Sequence, residues 1–178
     1  MATVQMKFVL IFALLAYTTG KQSVSATSCN PIVNVYGNQG GIQDPNKPSA
    51  HIEAVNKHAV TYRANNVIKD WSVSAPFSHL AGGMKYQDGK LTVPTPGRYY
   101  IYAQLYYHSS GRVHVEVNHK PITMIQPLTS GGGNGALYAG GVFNLKAGDV
   151  IMLRAIKYPS TTKIYMWSYH SYFGAYLI

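Results

Sequence analysis

The chain has 178 residues, of which 47% are hydrophobic and 12% are charged, a composition that fits one compact domain with a short additional segment. Its 15 tyrosines, 17 glycines and 9 prolines favour strands and turns over helices. The formal net charge of +9 comes from basic residues that are scattered singly, which argues against the basic stripe of a nucleic-acid binder and favours acidic partners or anionic surfaces.

The first 20 residues are typical of a secretory signal peptide. Lys7 supplies a positive charge, residues 8–17 form an apolar run, and small residues at 18–20 offer a cleavage site. The run is shorter than the roughly 20 apolar residues that span a membrane. We therefore predict a secreted, extracellular protein, with an uncleaved anchor in a type II single-pass membrane protein as the alternative. Cys29 is the only cysteine, which excludes an internal disulfide, and we interpret it as an incidental thiol, with an intermolecular bridge as the other reading.

Residues 21–47 are polar and rich in Ser, Asn, Gly and Pro, which predicts a flexible linker without a core of its own. A folded domain is predicted over residues 48–178. Its first strand signals lie at residues 50–55, 67–71, 84–86 and 90–93, with a loop at 56–58 and a tight turn at Asp88-Gly89.

Residues 97–107 (Gly97-Arg-Tyr-Tyr-Ile-Tyr-Ala-Gln-Leu-Tyr-Tyr107) are predicted to form a strand with two apolar or aromatic faces. Because side chains alternate along a strand, one face carries Tyr100, Tyr102, Gln104 and Tyr106, and the other carries Tyr99, Ile101, Ala103, Leu105 and Tyr107. In a β-sandwich one face of a sheet packs on the core and the other meets water. We assign the face of Tyr99 and Leu105 to the interior, and the second aromatic face indicates burial against another subunit.

The remaining strand signals complete an all-β pattern. The strand at 112–118 alternates, with Val113, Val115 and Val117 predicted to face the core. Further strands are predicted at 137–145, 150–156 and 167–178, separated by a glycine-rich loop at 127–135 and a turn at 146–149. Short strands with turns at this spacing predict an antiparallel sandwich or jelly roll.

Seven segments, in order along the chain, resemble the tumour necrosis factor (TNF) ligand family over residues 48–178. They are Pro48-Ser-Ala-His-Ile52, Trp71, Gly83-Met-Lys-Tyr86, Gly89-Lys-Leu-Thr-Val93, Gly97-Arg-Tyr-Tyr-Ile-Tyr-Ala-Gln104, Gly140-Gly-Val-Phe-Asn-Leu-Lys-Ala-Gly-Asp149 and Tyr172-Phe-Gly-Ala-Tyr-Leu-Ile178. The resemblance implies an antiparallel jelly-roll β-sandwich that assembles as a homotrimer. It also implies a cytokine that clusters receptors of the TNF-receptor family and triggers immune or cell-death signalling.

The complement C1q-like domain shares this fold and trimeric state, so a C1q-like module that binds a pattern or glycan is the alternative function. A structural trimer without a receptor is a third. The C-terminal segment is more similar to the TNF pattern, and no Gly-x-y repeat precedes the domain. The chain departs from the family in its cleavable type of leader, and it lacks both the loop disulfide of several members and the axial zinc-binding cysteine of one. These departures leave anchoring and subfamily open.

The resemblance implies two sets of site residues. At the threefold axis of a trimer it places Tyr100, Tyr102, Gln104, Tyr138 and Tyr172. Among receptor-binding loops it places Lys57, His58 and Tyr62 in the first long loop, Tyr107, His108 and Arg112 around the hairpin after the tyrosine strand, and Tyr158 before the last strand. An exposed tyrosine beside a cation has the composition of an interface hot spot, whereas an ordinary solvated loop is the alternative for each residue.

Sequence motifs for catalysis or metal binding are absent. The seven histidines include no His-Glu-x-x-His motif, and a single cysteine cannot form a zinc knuckle. His114 and Glu116 share a strand face and could ligate a metal, but we interpret them as a solvated surface. The Gly131-Gly-Gly-Asn-Gly135 segment lacks the Lys-Ser/Thr of a phosphate-binding loop, and there is no Gly-x-Ser-x-Gly elbow. We therefore expect a protein that is not an enzyme and has no cofactor or metal.

Overall fold

The computed structural model describes residue 44 and residues 46–108, 111–127, 134–156 and 161–178. The described residues form the strands β1 (Ser49–Ala54), β2 (Lys57–Arg63), β3 (Trp71–Ser72), β4 (His79–Ala81), β5 (Lys85–Gln87), β6 (Lys90–Thr92), β7 (Gly97–Tyr107), β8 (Val113–Val117), β9 (Lys120–Ile125), β10 (Gly135–Leu145), β11 (Val150–Ala155), β12 (Thr161–Met166) and β13 (Tyr172–Leu177). No helix occurs in these ranges. The predicted signal peptide, Cys29 and most of the predicted linker lie outside them.

The strands form two antiparallel sheets around one core, which confirms the predicted all-β jelly-roll sandwich. The eight-stranded sheet has the order β2-β12-β7-β13-β1-β3, with β10 on the other edge of β7 and β4 also paired to β1. The five-stranded sheet has the order β5-β6-β11-β8-β9. Side chains from both sheets meet in the core, as when the ring of Tyr86 on β5 approaches that of Phe173 on β13 at 6.5 Å between centroids.

Strand β7 shows the alternation that its sequence predicts. Tyr99 and Leu105 are fully buried, and Ile101 is 2% exposed, so this face is the sandwich interior as expected. Burying one such aliphatic side chain contributes about 1.5–3 kcal/mol to folding. The valines of β8 follow the same rule, because Val113 and Val115 are buried in the core and Val117 packs against it. The opposite face of β7 is half-buried along its length, at Tyr100, Tyr102, Gln104 and Tyr106.

Several strand boundaries differ from the sequence prediction. Within the segment 56–58, predicted as a loop, Lys57 and His58 already belong to β2, which pairs with β12. Of the strand predicted at 67–71, only Trp71 belongs to a strand, the two-residue β3, and Val67 forms an isolated bridge with Arg154. The strand predicted at 167–178 begins at Tyr172 after a turn. Strands β2, β4, β9 and β12 were not predicted. Short or polar strands of this kind are set by their tertiary pairing, which local composition does not reveal.

Two tyrosines predicted in receptor-binding loops are buried, and those predictions of exposed loop residues are wrong. Tyr62 lies on β2, is 6% exposed and donates its hydroxyl to Oδ2 of Asp70 at 2.8 Å. Tyr107 closes β7, is fully buried and donates its hydroxyl to the carbonyl oxygen of Ile125 at 2.7 Å. The cause for Tyr107 is alternation, since it shares the interior face of Tyr99 and Leu105. The cause for Tyr62 is the pairing of β2 with β12.

Candidate functional site

The five residues predicted at a threefold axis lie together on the outer face of the eight-stranded sheet. Tyr138 on β10 and Tyr172 on β13 are the register partners of Gln104 on β7, one on each side. The Tyr172 hydroxyl donates to Oε1 of Gln104 at 3.1 Å, and the hydroxyl oxygens of Tyr100 and Tyr138 are 2.9 Å apart. The structure therefore joins these residues into one surface, while their place at an axis stays a prediction.

Two glycines on the strands beside Tyr102 leave the space that the tyrosine rings occupy. Gly140 on β10 and Gly174 on β13 are the register partners of Tyr102. A Cβ atom on Gly140 would lie 2.6 Å from the hydroxyl of Tyr100, and one on Gly174 would lie 2.6 Å from that of Tyr102. A real Cβ atom does not come this close to another heavy atom, so a side chain at either glycine would collide with a tyrosine ring. The rings of Tyr100 and Tyr102 can therefore lie over β10 and β13 because glycine stands at these two positions.

His51 on β1 is a member of this surface that the sequence reasoning missed. Its Nδ1 lies 2.8 Å from the hydroxyl oxygen of Tyr102, and its ring centroid lies 5.0 Å from that of Tyr172. Burial lowers the pKa of His51, with the charge of Glu53 acting in the opposite direction. Alternation in β1 could have pointed His51 outward between the buried Ala50 and Ile52, but only the strand register shows what it meets.

We call this surface the aromatic face. Its members are His51, Tyr100, Tyr102, Gln104, Tyr138, Tyr172 and Tyr176. Tyr138 and Tyr176 expose 53% and 44% of their surface, and Val142 beside them exposes 52%. The centre is better shielded, since Tyr102 is half-buried, and this burial raises the pKa of the Tyr102 hydroxyl to about 12. Large exposed rings that adjoin a shielded centre are typical of a surface that another protein covers.

Strand β10 forms an open edge next to the aromatic face. It runs for 11 residues without a charged side chain and, among the described residues, pairs only with β7. Long uncharged edges of this kind template unwanted strand pairing unless something covers them. The edge and the aromatic face therefore form one continuous region that is poorly suited to remain in water.

The other predicted receptor residues that the structure describes are not members of the aromatic face, and three of them, Lys57, His58 and Arg112, are exposed. Lys57 pairs with Asp70 at 2.7 Å, and Arg112 is exposed. The exposed ring of His58 meets that of Trp167 at 5.6 Å between centroids. His108 is half-buried against Tyr165, and its Nδ1 has no hydrogen-bond partner within the ranges that the structure covers. Tyr158 lies outside the described residues, so its role stays a prediction.

The half-buried Trp167 and the exposed Tyr169 form a further aromatic patch that was not singled out from the sequence. Their ring centroids are 6.1 Å apart, and Tyr169 is 67% exposed. The sequence prediction placed both in a long last strand that begins at Trp167, whereas they lie between β12 and β13. Together with His58, the patch offers the amphipathic rings that are enriched in protein interfaces.

The pair His114 and Glu116 is not a solvated surface as interpreted from the sequence. Glu116 is 3% exposed, and its Oε2 accepts a hydrogen bond from Nε of Arg154 at 2.9 Å. Arg154 also donates from Nη1 to the carbonyl oxygen of Asn65 at 2.8 Å. The carboxylate is thus occupied by an ion pair. Within the described ranges, no group of three or more His, Cys, Asp or Glu residues could hold a metal ion.

Comparisons with known proteins agree with this architecture. The model of the TNF (Tumour Necrosis Factor) family matches residues 69–135, from just before β3 to the start of β10. A solved structure described as Eiger TNF from S. frugiperda is similar, with a TM-score of 0.61 at 16% sequence identity, over 74% of this chain and 93% of that chain. At this identity the likeness is one of fold. No curated protein matches the sequence.

The described part of the chain contains no helix with the length and hydropathy of a membrane span.

Proposed function

We propose that this chain, whose described residues form a TNF-like domain, is a secreted, non-enzymatic ligand that assembles as a homotrimer and clusters ectodomains of the TNF-receptor family. The partly exposed aromatic face is the observation that supports this most directly. Rings such as Tyr138 and Tyr176 would be covered in an assembly, and each further ring that becomes buried contributes up to about 1.5–3 kcal/mol. Clustering would then convert modest affinity at each receptor site into avidity and signalling of the immune or cell-death type.

The open edge of β10 supports a ring-shaped assembly. If the β10 edge of one protomer packs against the aromatic face of the next, both surfaces are buried in one heterologous interface. Three copies related in this way would form a closed ring. In that arrangement Tyr100, Tyr102, Gln104, Tyr138 and Tyr172 lie near the axis, as the resemblance implies. The absence of charged side chains on β10 favours such burial, because no ionised group would have to leave water.

The receptor surface in this proposal combines exposed residues with the half-buried His108. We retain Lys57, His58, Arg112 and His108 from the sequence prediction, and Tyr158, which lies outside the described residues, stays in the set as a prediction. We leave out Tyr62 and Tyr107, because their rings are inside the sandwich. We add the patch formed by the half-buried Trp167 and the exposed Tyr169. The net charge of +9 favours rapid encounter with an acidic receptor surface.

Assembly is tested with Tyr102→Asp, measured by size-exclusion chromatography with light scattering. The new carboxylate would be buried without a partner in the interface, so we expect the trimer to dissociate. Tyr169→Asp is the matched control, because it introduces the same charge on an exposed ring outside the aromatic face. A trimer that survives Tyr102→Asp with unchanged mass contradicts the proposed interface.

Receptor binding is tested by capturing a panel of TNF-receptor-family ectodomains on the purified protein, with and without chelator. We expect at least one ectodomain to bind, and His58→Ala and Arg112→Ala to weaken that binding while the trimer remains intact. A trimer that binds no ectodomain would favour a structural role, and chelator-sensitive glycan binding would favour the C1q-like alternative. Sequencing the N-terminus of the mature protein distinguishes a cleaved leader from an anchor.

A further inference from the structure

Two histidines lie side by side next to the aromatic face. His51 on β1 and His79 on β4 are direct register partners in an antiparallel pair. Opposed residues in such a pair have Cβ atoms about 4.5–5.5 Å apart and project from the same side of the sheet. The two imidazole rings are 6.4 Å apart between centroids, and their planes differ by 18°. Two potential metal ligands of the same type therefore occupy adjacent positions.

A hydrogen bond with the hydroxyl of Tyr102 fixes the orientation of the His51 ring, as is usual for a metal-binding histidine. Metal-binding imidazoles use one ring nitrogen for the metal and the other for a hydrogen bond that fixes the ring. Here Nδ1 of His51 makes that second contact, at 2.8 Å from the Tyr102 hydroxyl oxygen. Nε2 of His51 is then the nitrogen available to a metal. His79 is exposed, and an exposed side chain changes rotamer on the ps–ns timescale, so its ring can turn toward a shared ion.

The surroundings of the two histidines provide room beside His79 and carry charges of both signs. A cavity of about 770 Å³ is lined by His79, Tyr102, Asp44 and Lys47, among others, and lies next to His51 without including it in its lining. Glu53 lies two residues along β1 from His51 and on the same side of the strand. Its carboxylate favours a cation nearby. No third histidine or carboxylate of the described residues completes a ligand group, so water would fill the remaining coordination positions.

We propose that His51 and His79 form a two-histidine site for a transition-metal dication of the Zn²⁺ type, with Tyr102 as the residue that positions the His51 ring. Imidazole nitrogen is a preferred donor for Zn²⁺ and Cu²⁺, whereas Ca²⁺ and Mg²⁺ prefer oxygen. This site differs from the sequence expectation of no metal. Both ligands belong to one chain, and His79 lies outside the residues that define the aromatic face, so His79→Ala tests the metal site without changing a residue assigned to assembly.

The test is isothermal titration calorimetry of the purified full chain with Zn²⁺. Ca²⁺ serves as the comparison, because it prefers oxygen ligands. We expect one Zn²⁺ per chain and no Ca²⁺ binding. His79→Ala removes a ligand from an exposed position, and we expect its affinity for Zn²⁺ to fall by at least about tenfold. Tyr102→Phe keeps the ring but removes the positioning hydroxyl, and we expect a loss of about 10–100-fold.

His58→Ala is the matched control, because it removes another exposed histidine that lies on β2. We expect it to bind Zn²⁺ like the wild type. Circular dichroism and light scattering on each variant verify that fold and assembly are unchanged. The proposal is overturned if the wild type does not bind Zn²⁺, if His79→Ala binds as tightly as the wild type, or if His58→Ala loses as much affinity. Unchanged affinity in Tyr102→Phe overturns the positioning role of that residue.

Discussion

His51 on β1 and Tyr102 on β7 make contact across the intervening strand β13, with 2.8 Å between Nδ1 and the hydroxyl oxygen. The residue between them in the register is Gly174. Because Gly174 has no side chain, the phenol ring can cross over its strand and reach the imidazole. The contact between β1 and β7, which are not neighbouring strands, therefore depends on the absence of a side chain at Gly174 on β13.

The first prediction concerns Gly174→Ala. The new Cβ would collide with the carbonyl oxygen of Ala50 and lie 2.6 Å from the Tyr102 hydroxyl, so either the backbone or the ring must move. We expect the free energy of unfolding to fall by about 1–3 kcal/mol, as measured by urea denaturation. Gly135→Ala is the control, since a Cβ there meets nothing within 4 Å. Equal stability of Gly174→Ala and the wild type would show that Tyr102 does not pack tightly over Gly174.

The second prediction follows from the burial of Tyr107. Its hydroxyl donates to the carbonyl oxygen of Ile125 at 2.7 Å inside the core. Tyr107→Phe leaves that carbonyl without this donor, and we expect a loss of about 1–3 kcal/mol in unfolding free energy. Tyr169→Phe on the surface should change stability by less than about 0.5 kcal/mol. A stable Tyr107→Phe protein with weakened receptor binding would restore Tyr107 to the receptor surface.

The third prediction concerns the ion pair of Glu116 and Arg154. The Glu116 side chain is 4% exposed, so Arg154→Met leaves a buried carboxylate without its cation. We expect a loss of about 3–5 kcal/mol in unfolding free energy at neutral pH, measured by urea denaturation. Adding Glu116→Gln to Arg154→Met removes the uncompensated charge and should recover part of the loss. A double variant no more stable than the single one would mean that packing, and not charge, is responsible.

The fourth prediction is a pH dependence from Asp149. The backbone N–H of Lys146 donates to Oδ2 at 2.7 Å and the side chain of Asn118 donates to Oδ1 at 2.8 Å. These bonds, the one from Lys146 first, hold the pKa of Asp149 below its usual value. Since the folded pKa is the lower one, the contribution to stability is present above the unfolded pKa of about 3.9 and is lost as the pH falls through the folded pKa.

Urea midpoints of the wild type and Asp149→Asn at a series of pH values measure that contribution. We expect the wild type to be more stable near pH 7, and the difference to shrink below about pH 4 as Asp149 becomes protonated. The subtraction cancels the effects of the other carboxylates. A difference that stays constant down to the acid transition would contradict the assigned hydrogen bonds.

The sequence predicted the structure correctly where a feature depends only on residues within one strand or turn. Alternation in residues 97–107 was enough to place Tyr99 and Leu105 inside and Tyr100 and Tyr102 outside, because side-chain direction in a strand has a period of two. The same rule, applied consistently, also places Tyr107 inside. The turn at Asp88-Gly89 was readable for a similarly local reason, since both residues adopt positive φ angles that Asp and Gly tolerate.

The sequence by itself thus determined the all-β sandwich and the two faces of β7, since both follow from local alternation and turn chemistry. Only the tertiary structure decided that Tyr62 is buried, that Glu116 is paired with Arg154, and that Tyr102 meets His51. Each of these depends on the register between segments that lie far apart in the chain, and a shift of one residue would turn every side chain of a strand to its other face. No local pattern encodes that choice.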